Sequence, residues 1–325
     1  MDNADKLAVL MPVFNGGTHL LRSISSCSSA GLSGDEYELL VVDNCSTDGA
    51  VDGLSSRDAA GAPVHVFRND RNLGRVGNWN RSVELAIELG YRNITFLFAG
   101  DCWRSGPALR ELMNRVRHSQ ARVGFAPFIV TDSSGVPKYQ SRRFYVTGDT
   151  SVVCSARDFL ATMLDSGMFP LGPLQANLYR VDPSNPLRFD PSIPRRADVQ
   201  ATLDFVHNTN GQIVITSAPF LEWREHAGRF HASMGCANTI EDYMETFHTA
   251  CRQSGLPANH ARAKARVVLN SCRLILKEAP ATEWPTLIRV IAACSRRSPY
   301  SLTPLHLLET LWSRFALGRR LLQFG

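Results

Sequence analysis

The sequence has no GxGxxG turn, no GxxxxGK[ST] loop, no GxSxG elbow and no CxxC pair, and each absence removes a class of chemistry. A Rossmann dehydrogenase needs the first, to bring pyrophosphate onto a helix N-terminus; here the first strand runs into Asn15-Gly16-Gly17-Thr18-His19-Leu20 instead. The missing second motif excludes a P-loop nucleoside triphosphatase. The missing third excludes a serine hydrolase of the elbow type. The cysteines, at 27, 45, 102, 154, 236, 251, 272 and 294, show no zinc spacing, and a chain of 325 residues needs no disulfide staples, so they read as free thiols. No run approaches the roughly 18 apolar residues of a membrane span. The opening MDNADKLAVLMPVF is acidic where a signal peptide is basic, which points to the cytosol. No nucleic-acid-binding module is recognisable.

What is present is the composition of a globular protein, 44% hydrophobic and 20% charged, with a formal net charge of +5 that is unevenly spread. Residues 256–325 hold 11 Lys and Arg against 3 Asp and Glu, whereas the first 255 hold 24 against 27. A basic end suits an anionic surface. Between Leu305 and Leu322 the residues Leu308, Leu311, Trp312 and Phe315 recur near helical spacing beside Arg314, Arg319 and Arg320. The pattern suits a helix lying on an acidic membrane, or one packed on the protein's own core or on a second copy in a homodimer.

Short apolar runs at Leu7–Phe14, Leu39–Asp43, Val64–Phe67, Asn93–Phe98 and Val123–Val130 read as buried strands. Helical stretches separate them, of which Val76–Gly90 is the clearest. This alternation predicts an α/β fold with a mostly parallel sheet, in which ligands bind beyond the carboxyl ends of the strands. Residues 140–235, rich in Pro and Gly, read as a loop-rich lobe completing a cleft, and helical patterns dominate after Thr239. Asp43 follows LLVV at a buried strand end and therefore needs a partner. Ser46, Thr47 and Asp48 suit a helix cap. The stretch Arg68–Arg81 is dense in amides and guanidiniums, groups that satisfy bases, riboses and phosphates. Asp101, at the tip of FLFAGDCW, suits either a divalent cation or the cap of a following helix.

In order, VLMPVFNGGTHLLRSISS, LLVVDNCSTDG, RNDRNLGRVGNWNRSVELA and ITFLFAGDCWRSGPALREL resemble the nucleotide-sugar half of a family 2, GT-A-fold, inverting glycosyltransferase. The resemblance runs to about residue 235. It implies a nucleotide-sugar-binding half over 1–104, an acceptor-side half over 105–235 and a helical, basic extension over 236–325. Asp43 is implied to bind the base, with Pro12, Phe14 and Asn15 lining its pocket, and Asn72, Gly74 and Asn80 to shape the nucleotide and donor-sugar region. Asp101 and His226 are implied at a Mg2+ or Mn2+ ion on the diphosphate, and Asp198 as the general base. Arg224 and Arg229 would assist the diphosphate, and Trp103 is a candidate for stacking on the sugar, although a tryptophan is more often core or cleft wall.

The implied partners are a nucleotide sugar, UDP-linked by preference, and a glycan, lipid-linked or small-molecule acceptor. Two departures stand out: FAGDC holds one acid where the family has two or three, and Ala197 stands where many members have Glu. A nucleotidyltransferase and a degenerate sugar-nucleotide binder are the alternatives.

Overall fold

The computed structural model describes residues 2–141, 151–166, 171–225 and 236–254, with Val268, Pro285 and Arg289. The chain divides into two compact units, one of residues 1–156 with 171–229, the other of 157–170 with 230–325.

The first unit opens with β1 (Leu7–Val13), α1 (Gly17–Cys27), β2 (Tyr37–Asp43), β3 (Val64–Arg68), α2 (Gly74–Glu88) and β4 (Asn93–Phe96). LAVLMPV and YELLVVD are buried along nearly their whole length, as expected of strands covered on both faces. The helix expected over 76–90 spans Gly74–Glu88, entering through Gly74 at φ 72° and burying Val76, Trp79, Val83 and Ala86. Pairing is parallel through β3-β2-β1-β4. The chain builds from β1 out to β3, then crosses back to lay β4 on the other side of β1. That reversal puts the topological switch, and the crevice it creates, at the carboxyl ends of β1 and β4.

Next come β5 (Cys102–Trp103), α3 (Ala108–His118), β6 (Val123–Phe125), β7 (Phe128–Thr131), β8 (Pro137–Gln140), β9 (Ser151–Ser155) and α4 (Ala156–Ser166). They are followed by β10 (Asn177–Arg180), α5 (Ala197–His207), β11 (Gln212–Thr216) and β12 (Leu221–Arg224). The main sheet is ordered β3-β2-β1-β4-β10-β6-β11-β9, with β10 antiparallel to both β4 and β6. It therefore draws strands from both sides of residue 104.

The apolar run 123–130 is two strands. Pro127 lacks the N–H that a continuous ladder needs, and there the chain leaves β6 for β7 in a second sheet, β5-β12-β7-β8. The stretch expected to be loop-rich contributes β10 and β11 to the main sheet; at four or five residues each, they are too short for alternation to show in the sequence.

At the amino ends of the strands, far along β2 from Asp43, Glu38 is buried and accepts hydrogen bonds from Lys6 Nζ at 2.6 Å and Tyr91 Oη at 2.6 Å, with His65 Nε2 at 2.7 Å. Burial pushes its carboxyl pKa up, but these bonds outweigh burial and leave it below the ordinary value. A depressed carboxyl pKa stabilises the fold above the unfolded value and loses that stabilisation as pH falls through the folded one. Glu38→Gln is therefore expected to cost about 1–3 kcal/mol at pH 7, the usual cost of a lost charged hydrogen bond. In urea unfolding the gap to wild type should close as pH falls below about 4; a gap independent of pH would contradict the assignment.

In the second unit, α4, apart from Ala156, buries Phe159, Leu160, Met163 and Leu164, and α6 (Cys236–Ser254) buries Met244, Phe247, Ala250 and Cys251. α6 falls where helical pattern was expected. The basic stretch 305–322 lies outside the described residues. Among those described, no helix is long and apolar enough to cross a membrane.

Candidate active site

Strand register brings the first candidates together: Pro12 lies beside Val42 and Val13 beside Asp43, so the loops after β1 and β2 emerge side by side. They are laced together. Ser46 Oγ accepts from Asn15 N at 2.9 Å, Asn15 Oδ1 accepts from Thr47 N at 2.9 Å, and Asp48 Oδ2 accepts from Gly17 N at 2.8 Å, in the first turn of α1. Asp48 thus satisfies an amide that the helix start leaves open. Phe14, on the lip of this loop, is 52% exposed, an open aromatic face at the switch crevice.

Asp43 is fully buried, and both carboxylate oxygens are engaged, one by Ser46 N at 3.0 Å and the other by Arg68 Nε at 2.7 Å. Arg68 also reaches Asp52 at 2.8 Å. This is the partner that an acid at the end of LLVV requires, and it pins the tips of β2 and β3 to each other.

The amides of the third motif work largely on the backbone. Asn44, buried beside Asp43, accepts from Leu73 N at 2.8 Å and donates to Asn72 Oδ1 at 2.9 Å. Asn72 Oδ1 in turn accepts from Gly74 N at 2.8 Å. Asn69 Nδ2 donates to Asn78 Oδ1 at 2.8 Å, and Asn78 donates to Val42 O at 2.9 Å. This lattice fixes the loop from β3 into α2. Asn80 spends both ends of its amide on one residue, donating to Phe189 O at 2.8 Å and accepting from Phe189 N at 2.9 Å. It ties α2 to the segment that leads into α5. Asn44, Asn69 and Asn78 were not singled out from sequence, although each adjoins a motif residue.

Asp101 is fully buried between two chain segments, accepting from Gln175 Nε2 at 2.6 Å and from Arg224 N at 3.1 Å. The pairing of β5 with β12, Glu222 opposite Cys102, brings Arg224 there. Gln175 sits in a short 3-10 turn, Leu174–Ala176, and no strand-tip signal marks it in the sequence. Arg224 is itself buried, with Glu222 Oε2 3.8 Å from its guanidinium. Asp101 has the hard oxygens that Mg2+ or Mn2+ prefers, but each already accepts a hydrogen bond, so an ion would have to take a remaining lone pair or displace Gln175 Nε2. No three His, Cys, Asp or Glu gather into a cation site among the described residues, so these would fill fewer than three of about six positions around such an ion. His226 and Arg229 lie outside the described residues.

Trp103 does not face a sugar site. Its ring is 3% exposed and meets Tyr37 edge to face at 6.0 Å, so it belongs to the core. An indole following an apolar strand end is drawn inward by its large apolar area, and this corrects the expected stacking role.

Asp198 stands in the first turn of α5 and is partly exposed. A methyl group added at Gly172 would lie 3.8 Å from its Oδ2, so the turn at 171–173 walls one side of the carboxylate. Arg75 approaches the same helix start. Its guanidinium lies over the Trp79 ring at 4.8 Å and donates to the carbonyl of Pro194. Trp79 is stacked on Phe98 at 5.4 Å, which gives the arginine a rigid floor. Burial lowers the Arg75 pKa against the charge of Asp198, which acts to raise it. Arg75 is thus a cation beside the candidate base that the motifs did not single out.

Residues 8–169 match the model of glycosyl transferase family 2. The chain belongs to that family. Over 131 residues it is 25% identical to TuaG of Bacillus subtilis (strain 168), named as a glycosyltransferase of teichuronic acid biosynthesis, covering 40% of this chain and 50% of TuaG. The matched stretch thus spans half the length of that curated relative. Among solved structures, S. aureus TarS 1-349 in complex with UDP-GlcNAc aligns with a TM-score of 0.62 at 15% identity, over 89% of this chain and 80% of that one. The mannosyltransferase PcManGT from Pyrobaculum calidifontis, in complex with GDP-Man and Mn2+, aligns with a TM-score of 0.51 at 14% identity, over 97% and 82%. At these identities the likeness establishes the fold, which is GT-A.

Proposed function

We propose that this protein transfers a sugar from a nucleoside diphosphate sugar to an acceptor hydroxyl with inversion, Asp198 acting as general base. The observation that carries the reading is the placement of Asp198: a half-open carboxylate at a helix start, beside Arg75, in the same unit that bears Asp43 and Asp101 at the strand ends. Inverting transfer is one displacement. The base takes the acceptor proton while the diphosphate departs from the opposite face, and no covalent nucleophile is needed.

The pocket for the base and ribose would form at the β1 and β2 tips, with Phe14 as a face, Asn15 as a polar group and Pro12 behind, and Asp43, buried under Ser46 and Arg68, would meet the base through the lone pairs those bonds leave. Asn72 and Gly74 would shape the loop over the donor, with Asn80 holding its helix in place. A divalent cation, where bound, would supply positive charge to the leaving diphosphate, with Asp101 the ligand from the described residues and diphosphate oxygens and water completing its shell. His226, Arg224 and Arg229 are the proposed helpers on that side.

The UDP-GlcNAc complex of TarS favours a UDP-sugar donor, and the naming of TuaG favours a polysaccharide or lipid-linked acceptor. A thermal-shift screen of UDP-, GDP- and dTDP-sugars with Mn2+ tests the donor reading. A UDP-sugar is expected to raise Tm most, since ligand at 100 times Kd adds about 2.7 kcal/mol to stability. No shift with any nucleotide sugar would remove the reading.

A further inference from the structure

The polar groups behind Asp198 form a chain whose direction is fixed by counting protons. Asn177 Nδ2 has two hydrogens; one is donated to Leu171 O at 2.7 Å, the other to Tyr179 Oη at 2.9 Å. Tyr179 Oη lies 2.7 Å from Thr202 Oγ1, and Thr202 Oγ1 donates to the carbonyl of Asp198 at 2.9 Å. The threonine's single proton is used there, so the tyrosine must donate to it. All three side chains are buried, and the Asn177 carbonyl accepts from Thr95 Oγ1 of β4 at 2.8 Å, which anchors the chain in the main sheet. One branch therefore ends on the helix turn that bears Asp198. The other ends on Leu171, next to the glycine whose added methyl would lie 3.8 Å from Asp198 Oδ2.

We propose that Asn177, Tyr179 and Thr202 are positioning residues that hold the Asp198 carboxylate at a fixed depth against the Leu171–Gly172 wall of the acceptor side. This rests on Asp198 being the base. A buried hydroxyl chain with every donor used is directional, so it fixes a distance where apolar packing tolerates small slips. An error of about 1 Å at a base can cost a factor of about 100 in rate.

Thr202 provides the test, because its two close analogues separate shape from hydrogen bonding. Thr202→Val keeps the volume and loses the hydroxyl; Thr202→Ser keeps the hydroxyl and loses the methyl. Three readouts are taken on the full chain: nucleoside diphosphate release from the nucleotide sugar giving the largest thermal shift, donor KM, and hydrogen exchange of the α5 amides from Gln200 to Asp204.

Thr202→Val and Tyr179→Phe are expected to lower kcat at least tenfold with donor KM within threefold, and to speed exchange in that turn. Thr202→Ser should stay within threefold of wild type on all readouts. The reverse order, Val active and Ser impaired, would show a packing role and overturn the proposal. So would a Tyr179→Phe enzyme with wild-type kcat while Asp198→Asn is crippled. Should Asp198→Asn itself turn over normally, the base assignment falls instead, and exchange in the turn still reports whether the chain orders it.

Discussion

Asp198→Asn is expected to lower turnover by a factor on the order of 100 to 10000, the span of a general base, while donor affinity stays close to wild type. The substitution keeps the shape of the side chain and leaves the backbone carbonyl that Thr202 holds at 2.9 Å. The fold loses the favourable meeting of a carboxylate with a helix N-terminus, about 0.3–1 kcal/mol, together with the attraction of Arg75. The groups proposed for the nucleotide, Asp43 and Asn15, are held by the β1 and β2 loops and touch nothing at α5 in the described bonds. A calorimetric donor titration and a rate on the same preparation check both halves. Near wild-type transfer would remove Asp198 as the base. Donor affinity lost together with rate would make it a ligand of the donor.

The part of the site that lies on strands was legible because strands end where apolar runs end. Asp43 and Asp101 each follow such a run, and the structure buries both with partners, as the cost of a lone buried charge demands. The four parallel strands follow from the same alternation, although the chain crosses from β2 to β3 without a helix.

What the sequence concealed depends on contacts between distant segments. Asn80 looks like any polar helix position until residue 189 arrives to take both ends of its amide. Gln175 gains its meaning only from Asp101, 74 residues earlier. Trp103 has the composition of a sugar platform, yet it follows an apolar strand into the core and meets Tyr37. Period and composition are local properties. None of these three positions is decided locally.

Asp101 offers the second large effect, because its clamp and its proposed cation respond differently to two substitutions. Asp101→Ala strands Gln175 Nε2 and Arg224 N in a dry space, two donors left without acceptors. At about 1–3 kcal/mol for each unmet buried group, the loss is a large fraction of a typical stability of 5–15 kcal/mol. Tm should fall by on the order of 5–15 °C, at about 2–4 °C per kcal/mol for a domain of this size. Asp101→Asn keeps the shape and one acceptor oxygen, and Gln175 can rotate its amide to accept from the new N–H, so most of the Tm should survive.

The charge is gone in both variants, and with it the carboxylate proposed to meet the cation. Asp101→Asn should therefore be folded and yet lose the Mn2+ dependence of donor binding, which Asp101→Ala loses along with stability. With Asp101 the one carboxylate proposed for it among the described residues, Mn2+ should bind the nucleotide-free wild type only weakly, the ion keeping most of its water until a diphosphate arrives. Tight stoichiometric Mn2+ binding without nucleotide would contradict the single-ligand reading. An Asp101→Asn protein that still needs Mn2+ to bind donor would leave Asp101 as a structural clamp and move the cation to other ligands.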